Sequence, residues 1–275
     1  MWPCYMHRLE VRCYLTCKAS CLARLKSCPC RNAHDEKNWL LQPFQQADPL
    51  TGKPSEHDIF LQHIAAGSSY LRNPSTLLVF SGGKTNPSSD VAEAYSYGQV
   101  LLHDKRLHGS GIRDGILQRR VAAECWATDS YQNLLFSIIY FWEKTGVWPE
   151  SVTVVTHAFK QDRFLKGHCD AIRWPRDRIR VQGINPPFTN KELEEVTAFE
   201  EKCRRQFELD PYGAREPLSG KRKLRRWDGN ALTGVLGGVL DDKVRAQLKR
   251  LLEWDGGESG REVFPHPLPW DVGGT

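Results

Sequence analysis

"SVTVVTHAFKQDRF", residues 151–164, decides how this chain is read. Val152 to Thr156 are all β-branched, which favours an extended strand. The run stops at His157, and a helical pattern follows from about Phe159 to Ile172, closed by Trp174-Pro175. The next segment, "RIRVQG" (178–183), reads as another strand. Strand, helix, strand at this spacing is a βαβ unit, whose two strands lie parallel.

The same alternation extends towards the amino terminus. Glu56 to Leu71 carries apolar residues at helical spacing, and "TLLVF" (76–80) is a short apolar run ending in Ser81-Gly82-Gly83. Asp90 to Leu102 reads as a helix opened by an Asp90/Glu93 capping box, and "RRVAA" (119–123) as a short strand. Asp129 caps a further helix with Gln132 at its third position, running to Lys144 and stopped by Gly146. Such alternation predicts an α/β fold, a Rossmann-like three-layer α/β/α arrangement around a mostly parallel sheet. After Pro187 the pattern turns helical, with Asn190 to Leu209, a basic loop "SGKRKLRRWDG" (219–229), and Asp241 to Trp254. The domain reading is a leader over 1–34, a Rossmann-like core over 35–188, a helical extension over 189–255 and an irregular tail over 256–275.

Composition narrows the classes. With 275 residues, 40% hydrophobic and 26% charged, the chain has the make-up of a globular protein. A formal charge of +5 suits anionic ligands, but the basic residues form no stripe, so no nucleic-acid partner is expected. The longest apolar run, Leu134 to Trp142, is broken by Ser137 and falls short of the roughly 18 residues a membrane span needs. Six of the nine cysteines fall in the first 30 residues, an odd total that argues for a reducing, cytoplasmic setting. Cys13, Cys17 and Cys21 lie four apart and would share a helix face. Together with Cys28, Cys30 and His34 their spacings are not those of a zinc finger or ribbon, so no metal site is assigned. Two readings of this basic segment stay open: a poorly ordered leader, which is preferred, and a mitochondrial-type targeting segment, against which its scarcity of serine counts.

In an open parallel sheet, ligands sit beyond the carboxyl ends of the strands. That selects Ser81-Gly82-Gly83, the segment from Glu124 to Asn133, and the segment from Thr156 to Arg163. "GGKT" (82–85) is not a phosphate loop, because Leu78 stands where that motif needs glycine. Its glycines instead offer a tight turn whose backbone N–H groups can approach an anion. Ser130 and Asn133 share a face of the following helix. Glu93 and Glu124 are a carboxylate pair for acid–base work, a ribose hydroxyl or a metal. Lys160 and Arg163, three apart at a helix start, form a candidate clamp for phosphate or carboxylate. His157, at the strand end, is more often structural than catalytic in such a place.

The ordered blocks "LLVFSGGKT" (77–85), "AEAYSY" (92–97), "ATDSYQNLLFSIIYFWEKTG" (127–146), "VTVVTHAFKQDRFLKGHCDAIRWP" (152–175) and "DPYG" (210–213) resemble the domain of unknown function 218 family, which includes the YdcF, SanA and ElyC proteins, and above all its fungal branch. The resemblance spans about residues 35 to 255. It implies a Rossmann-like domain with a pocket at the strand ends, polar motif positions at Ser81, Gly82, Gly83, Glu93, Glu124, Ser130, Asn133, Thr156, Lys160 and Arg163, and a nucleotide-like ligand such as S-adenosylmethionine. Two departures stand out. Ala92 replaces a common serine, and "SCPCRNAHDEKNW" (27–39) stands where relatives carry an apolar first strand and a Cys-His-Ala turn. Either this copy has lost its first strand, or its leader comes from a truncated or misjoined frame. Three functions remain open: a hydrolase or transferase with Glu93 and Glu124 handling protons, a binding protein without turnover, and a degenerate structural member.

Overall fold

The computed structural model describes residues 12–17, 24–25, 32–50, 52–86, 88–108, 112 and 114–271. Among these, the strands are β1 (Arg12–Cys17), β2 (Arg24–Leu25), β3 (Trp39–Leu40), β4 (Thr76–Ser81), β5 (Val121–Glu124), β6 (Ser151–Thr156) and β7 (Ile179–Gly183). The helices are α1 (His57–Ser69), α2 (Glu93–His103), α3 (Asp114–Arg120), α4 (Ser130–Thr145), α5 (Cys169–Ala171), α6 (Asn190–Leu209), α7 (Leu218–Leu224), α8 (Gly229–Leu236) and α9 (Asp242–Leu252). The fold is α/β.

Five strands form one sheet in the order β5-β4-β1-β6-β7, every pair parallel. The first of the described strands is therefore the middle one of the sheet, and connections run outward from it in both directions. Glu124 lies beside Ser81, Ser81 beside Cys17, and Thr156 beside Gly183, so the carboxyl ends are level. β2 and β3 make a separate antiparallel pair.

The presence of β1 corrects the expectation of a lost first strand and of a helix carrying Cys13, Cys17 and Cys21. "RCYLTC" (12–17) is extended and hydrogen-bonded on both edges, with Leu15 in register with Val79 and Val154. Its neighbours come from far along the chain, so pairing overrides the helical cysteine spacing. Cys21, Cys28 and Cys30 lie outside the described residues.

Alternation along β4 divides the core in two. Leu77 and Val79 join Val152, Val154 and Ile179 under α4, with Leu134, Leu135, Ile138 and Phe141 buried against them. Leu78 and Phe80 face the other way, onto Phe60 and Ile64 of α1 and Tyr97 and Leu101 of α2. Residues 256–271 have no helix or strand, yet Phe264, Leu268 and Trp270 are buried, and Trp270 Nε1 donates to Ile172 O at 2.8 Å.

Boundaries differ from the sequence reading at several places: Arg119 and Arg120, read as strand, end α3, and β5 starts only at Val121. α2 begins at Glu93 with Ala92 at its cap, and Asp90 instead meets Arg226 at 2.7 Å. The basic segment is a helix rather than a loop up to Leu224. Among the described residues no helix is long and apolar enough to cross a membrane.

Candidate functional site at the strand ends

The polar residues singled out from the sequence settle into three groups around the carboxyl ends of the sheet. Strands lie about 4.8 Å apart, so Ser81 and Thr156, with β1 between their strands, are separated by roughly 10 Å.

The first group closes the β4 and β5 ends. Glu124 is buried; its Oε1 accepts from the backbone N–H groups of Trp126 (2.6 Å) and Ala127 (3.1 Å). Its Oε2 lies 2.5 Å from Ser81 Oγ, which is also 3.0 Å from Asn133 Oδ1. A serine has a single proton, so it cannot donate to a carboxylate and to an amide oxygen at once. Two arrangements satisfy the count: a protonated Glu124 donates to Ser81 Oγ and Ser81 donates to Asn133, or the Asn133 amide is turned so that its N–H donates to Ser81 and Ser81 donates to the carboxylate. Burial favours the first, lifting the Glu124 carboxyl to about 7 against the lowering effect of its hydrogen bonds. Glu124 is thus a neutral acid in mildly acidic solution and titrates near neutrality.

The glycine turn contributes shape, and its N–H groups are already committed. Gly82 N donates to Glu124 O (3.0 Å) and Gly83 N to Ala127 O (2.7 Å), while Glu93 N and Ala94 N donate back to Gly83 O and Gly82 O. This replaces the expectation of a backbone cradle for an anion: the turn spends its donors joining β4, β5 and α2. At Gly83 an added Cβ would lie 2.9 Å from Ala127 O and 3.1 Å from Cys125 O, both backbone atoms. Gly83→Ala is expected to cost about 1–3 kcal/mol, read as a lower denaturation midpoint, because the β5–α4 loop has to move. Glu93 is buried beside this turn and accepts from Tyr97 OH at 3.0 Å.

The second group is the turn after β6. Thr156 and Lys160 are 0% and 1% exposed, and neither Thr156 Oγ1 nor Lys160 Nζ has a hydrogen-bond partner. The ammonium lies 5.6 Å from the centre of the Phe159 ring, a weak compensation for its burial. His157 is buried edge-on against His63, with ring centres 5.0 Å apart, and stacks on Phe159.

Arg163 belongs elsewhere. A π-helical turn over Arg163–His168 follows, in which residues five apart rather than four align. Arg163 Nη2 pairs with Glu200 Oε2 of α6 at 2.9 Å, both buried. The expected Lys160/Arg163 pair already acts on a carboxylate of the protein: Arg163 pairs with Glu200, and Lys160 attracts the same carboxyl without hydrogen-bonding to it.

Arg163 joins the third group, at the start of α4. Asp129 caps this helix by accepting from Gln132 N (2.9 Å), and its other oxygen accepts from Arg222 Nε of α7 (2.6 Å). Burial pushes the Asp129 carboxyl up, but Arg222 and the Gln132 N–H outweigh it and hold it below the usual carboxylate range. Ser130 Oγ lies 2.7 Å from His168 Nε2, with both residues wholly buried. Burial first, then Arg163, lowers His168 to about 3, so its ring is neutral. His168 Nδ1 has no partner, so no third group orients a base, and the pair does not amount to an activated nucleophile.

The sequence reading missed Asp129 as a charge partner, and with it His168, Glu200 and Arg222. His168 lies within the quoted "VTVVTHAFKQDRFLKGHCDAIRWP" block, and Arg222, in the basic segment, packs against Gly213 of the quoted "DPYG" block. The latter is a turn in which Asp210 accepts from Ala214 N and Arg215 N. Gly213, at φ +64°, leaves room for Arg222, since a Cβ there would sit 2.6 Å from its Cζ. Among the described residues no group of three or more His, Cys, Asp or Glu is placed to hold a metal ion.

The fold and site define an α/β protein with a polar cluster at the level carboxyl ends of a parallel sheet. No protein-family model matches the chain, and no solved structure matches it. Over 227 residues, 68% of this chain and 73% of its relative, it is 25% identical to Uncharacterized protein YOR238W of Saccharomyces cerevisiae.

Proposed function

We propose that this chain binds a small anionic or nucleotide-like molecule above β1 and β6, with Lys160 as the charged contact and Thr156 beside it. One observation carries the reading: an ammonium that is 1% exposed and has no hydrogen-bond partner. A buried ammonium without a hydrogen bond is costly even with the Glu200 carboxyl close enough to attract it, and an anionic ligand oxygen would offset that cost. Position supports it, because the strand order reverses between β1 and β6, and ligands of such sheets sit where the order reverses. The resemblance to the domain of unknown function 218 family supports the same place, together with a Rossmann-like three-layer arrangement and a nucleotide or S-adenosylmethionine as ligand.

Turnover by a hydrolase or transferase is the extended form of this reading. Glu124, neutral below about pH 7 and linked to Ser81, is then the proton donor, and Glu93 is the second carboxyl at the same turn. Binding without turnover is favoured by the lack of a nucleophile, base and orienting group together among the described residues.

A panel of nucleotides, S-adenosylmethionine and phosphorylated metabolites, read by thermal midpoint, tests the proposal. A true ligand at about 100 times its Kd should stabilise the protein by roughly 2.7 kcal/mol. Lys160→Met should make the ligand-free protein more stable by about 1–4 kcal/mol and remove the ligand shift. A less stable Lys160→Met that still responds fully to the ligand would count against Lys160 as the contact.

A further inference from the structure

Between the start of α4, α6 and α7 lies a polar recess distinct from the Lys160 turn. It is lined by Thr128, Asp129, Ser130, Arg163, Lys221 and Arg222, with Cys203 and Phe207 of α6 behind them, and its volume is about 10 Å³. That is room for one water-sized guest. We propose that this recess is a site for a monatomic anion, chloride or bromide, which ties α7 and α6 to the first turn of α4.

The charge balance favours an anion over water. Arg163 is spent on Glu200 and Arg222 on Asp129, each pair buried. Lys221, on the recess wall, adds a cation with no carboxylate of its own, and Arg225 stands close by, its Nη1 donating to Thr128 O at 2.6 Å. Burial first, then repulsion from Arg225 and Arg163, makes the Lys221 ammonium easier to deprotonate than a free lysine, against a smaller opposing pull from Asp129. Such a group gains from a neighbouring negative charge.

Unused donors point the same way. Arg163 is 4% and Arg222 9% exposed, yet Arg163 Nε and Arg222 Nη2 have no hydrogen-bond partner. Guanidinium N–H groups buried without acceptors are costly, and an anion between two arginines satisfies them. The first turn of α4, a helix of 16 residues, adds the positive end of its dipole. Size decides the class: a phosphate, with four oxygens around its centre, exceeds a space for one water, whereas a halide is only slightly larger than water.

Crystals of the full chain grown in sodium bromide, with data collected at the bromine absorption edge, test this. An anomalous peak is expected in the recess, beside Arg163, Lys221 or Arg222. In parallel, the thermal midpoint should rise as chloride replaces gluconate at constant ionic strength. Lys221→Gln, which leaves the Asp129–Arg222 pair in place, should weaken the chloride response by about tenfold in concentration. Lys160→Met should leave the bromide peak unchanged, so failure here is distinguishable from failure of the Lys160 reading. A recess holding only a water without anomalous signal would overturn the proposal, as would a chloride response that is equal in Lys221→Gln.

Discussion

Asp129→Ala is expected to destabilise the protein by about 3–5 kcal/mol, the cost typical of leaving a buried charge without its partner. Two losses coincide. The cap of α4 goes, since Asp129 accepts from Gln132 N, and such a cap contributes about 1 kcal/mol. Arg222 is then left in the interior without the carboxylate 2.6 Å from its Nε. Chemical denaturation of three variants separates these terms. Asp129→Asn keeps an oxygen for the cap and loses only the charge, so it should recover about 1 kcal/mol. Asp129→Asn combined with Arg222→Met removes both charges and should be more stable than Asp129→Asn alone. If the double variant is the weaker of those two, the pair is not what holds α7 against α4. Because the Asp129 carboxyl is held below its ordinary range, its contribution is present at neutral pH and disappears as pH falls through that depressed value.

Glu124 has the opposite sign. Its folded value of about 7 lies above the ordinary 4.5, so the folded state keeps a proton that the unfolded chain releases. Stability from this group is complete below pH 4.5, falls as pH rises, and is gone above about 7. The loss across that window is about 3 kcal/mol, taking 1.36 kcal/mol per pKa unit. Glu124→Gln should remove this slope. An amide oxygen still accepts from Trp126 N and Ala127 N, and an amide N–H can donate to Ser81 Oγ as the protonated acid does. The variant is therefore expected to match the wild type near pH 4.5 and to exceed it by about 3 kcal/mol above pH 7. Parallel stability curves for the two proteins would show that Glu124 is an ordinary carboxylate. In Fourier-transform infrared spectra, the protonated carboxyl band should be present in the wild type at pH 5.5–6 and missing from the variant.

Local chemistry made much of the fold legible. Asp129 before an apolar helix and Gly146 after it mark α4, and the structure has the cap bond and, at Gly146, φ +75°. Thr189 and Glu192 form the capping box that starts α6, whose limits match the charged run read from the sequence. β6 and β7 follow their β-branched residues. β1 was not legible, because its cysteines repeat at helical spacing and its partners, β4 and β6, lie far along the chain.

The site divided along the same line. Ser81, Glu124 and Asn133 meet as neighbouring strand ends and a helix start would place them. The pairing of Arg163 with Glu200 was invisible, since Glu200 is one acid among many on α6 and its burial is a tertiary event. The basic "KRKLRR" segment (221–226) was read only as part of a loop. Arg222, Arg225 and Arg226 instead reach Asp129, Thr128 O and Asp90, the first of them 93 residues away in sequence. No local pattern encodes a partner at that separation.

Lys160 Nζ, buried without a hydrogen-bond partner, is proposed to receive an anionic group of a ligand. A crystal structure with the panel compound that raises the thermal midpoint most tests it directly. The expected result is an anionic oxygen of that compound within hydrogen-bond reach of Lys160 Nζ and Thr156 Oγ1, above β1 and β6. A compound bound elsewhere, with Lys160 Nζ still lacking a hydrogen-bond partner, would rule out Lys160 as the anion contact.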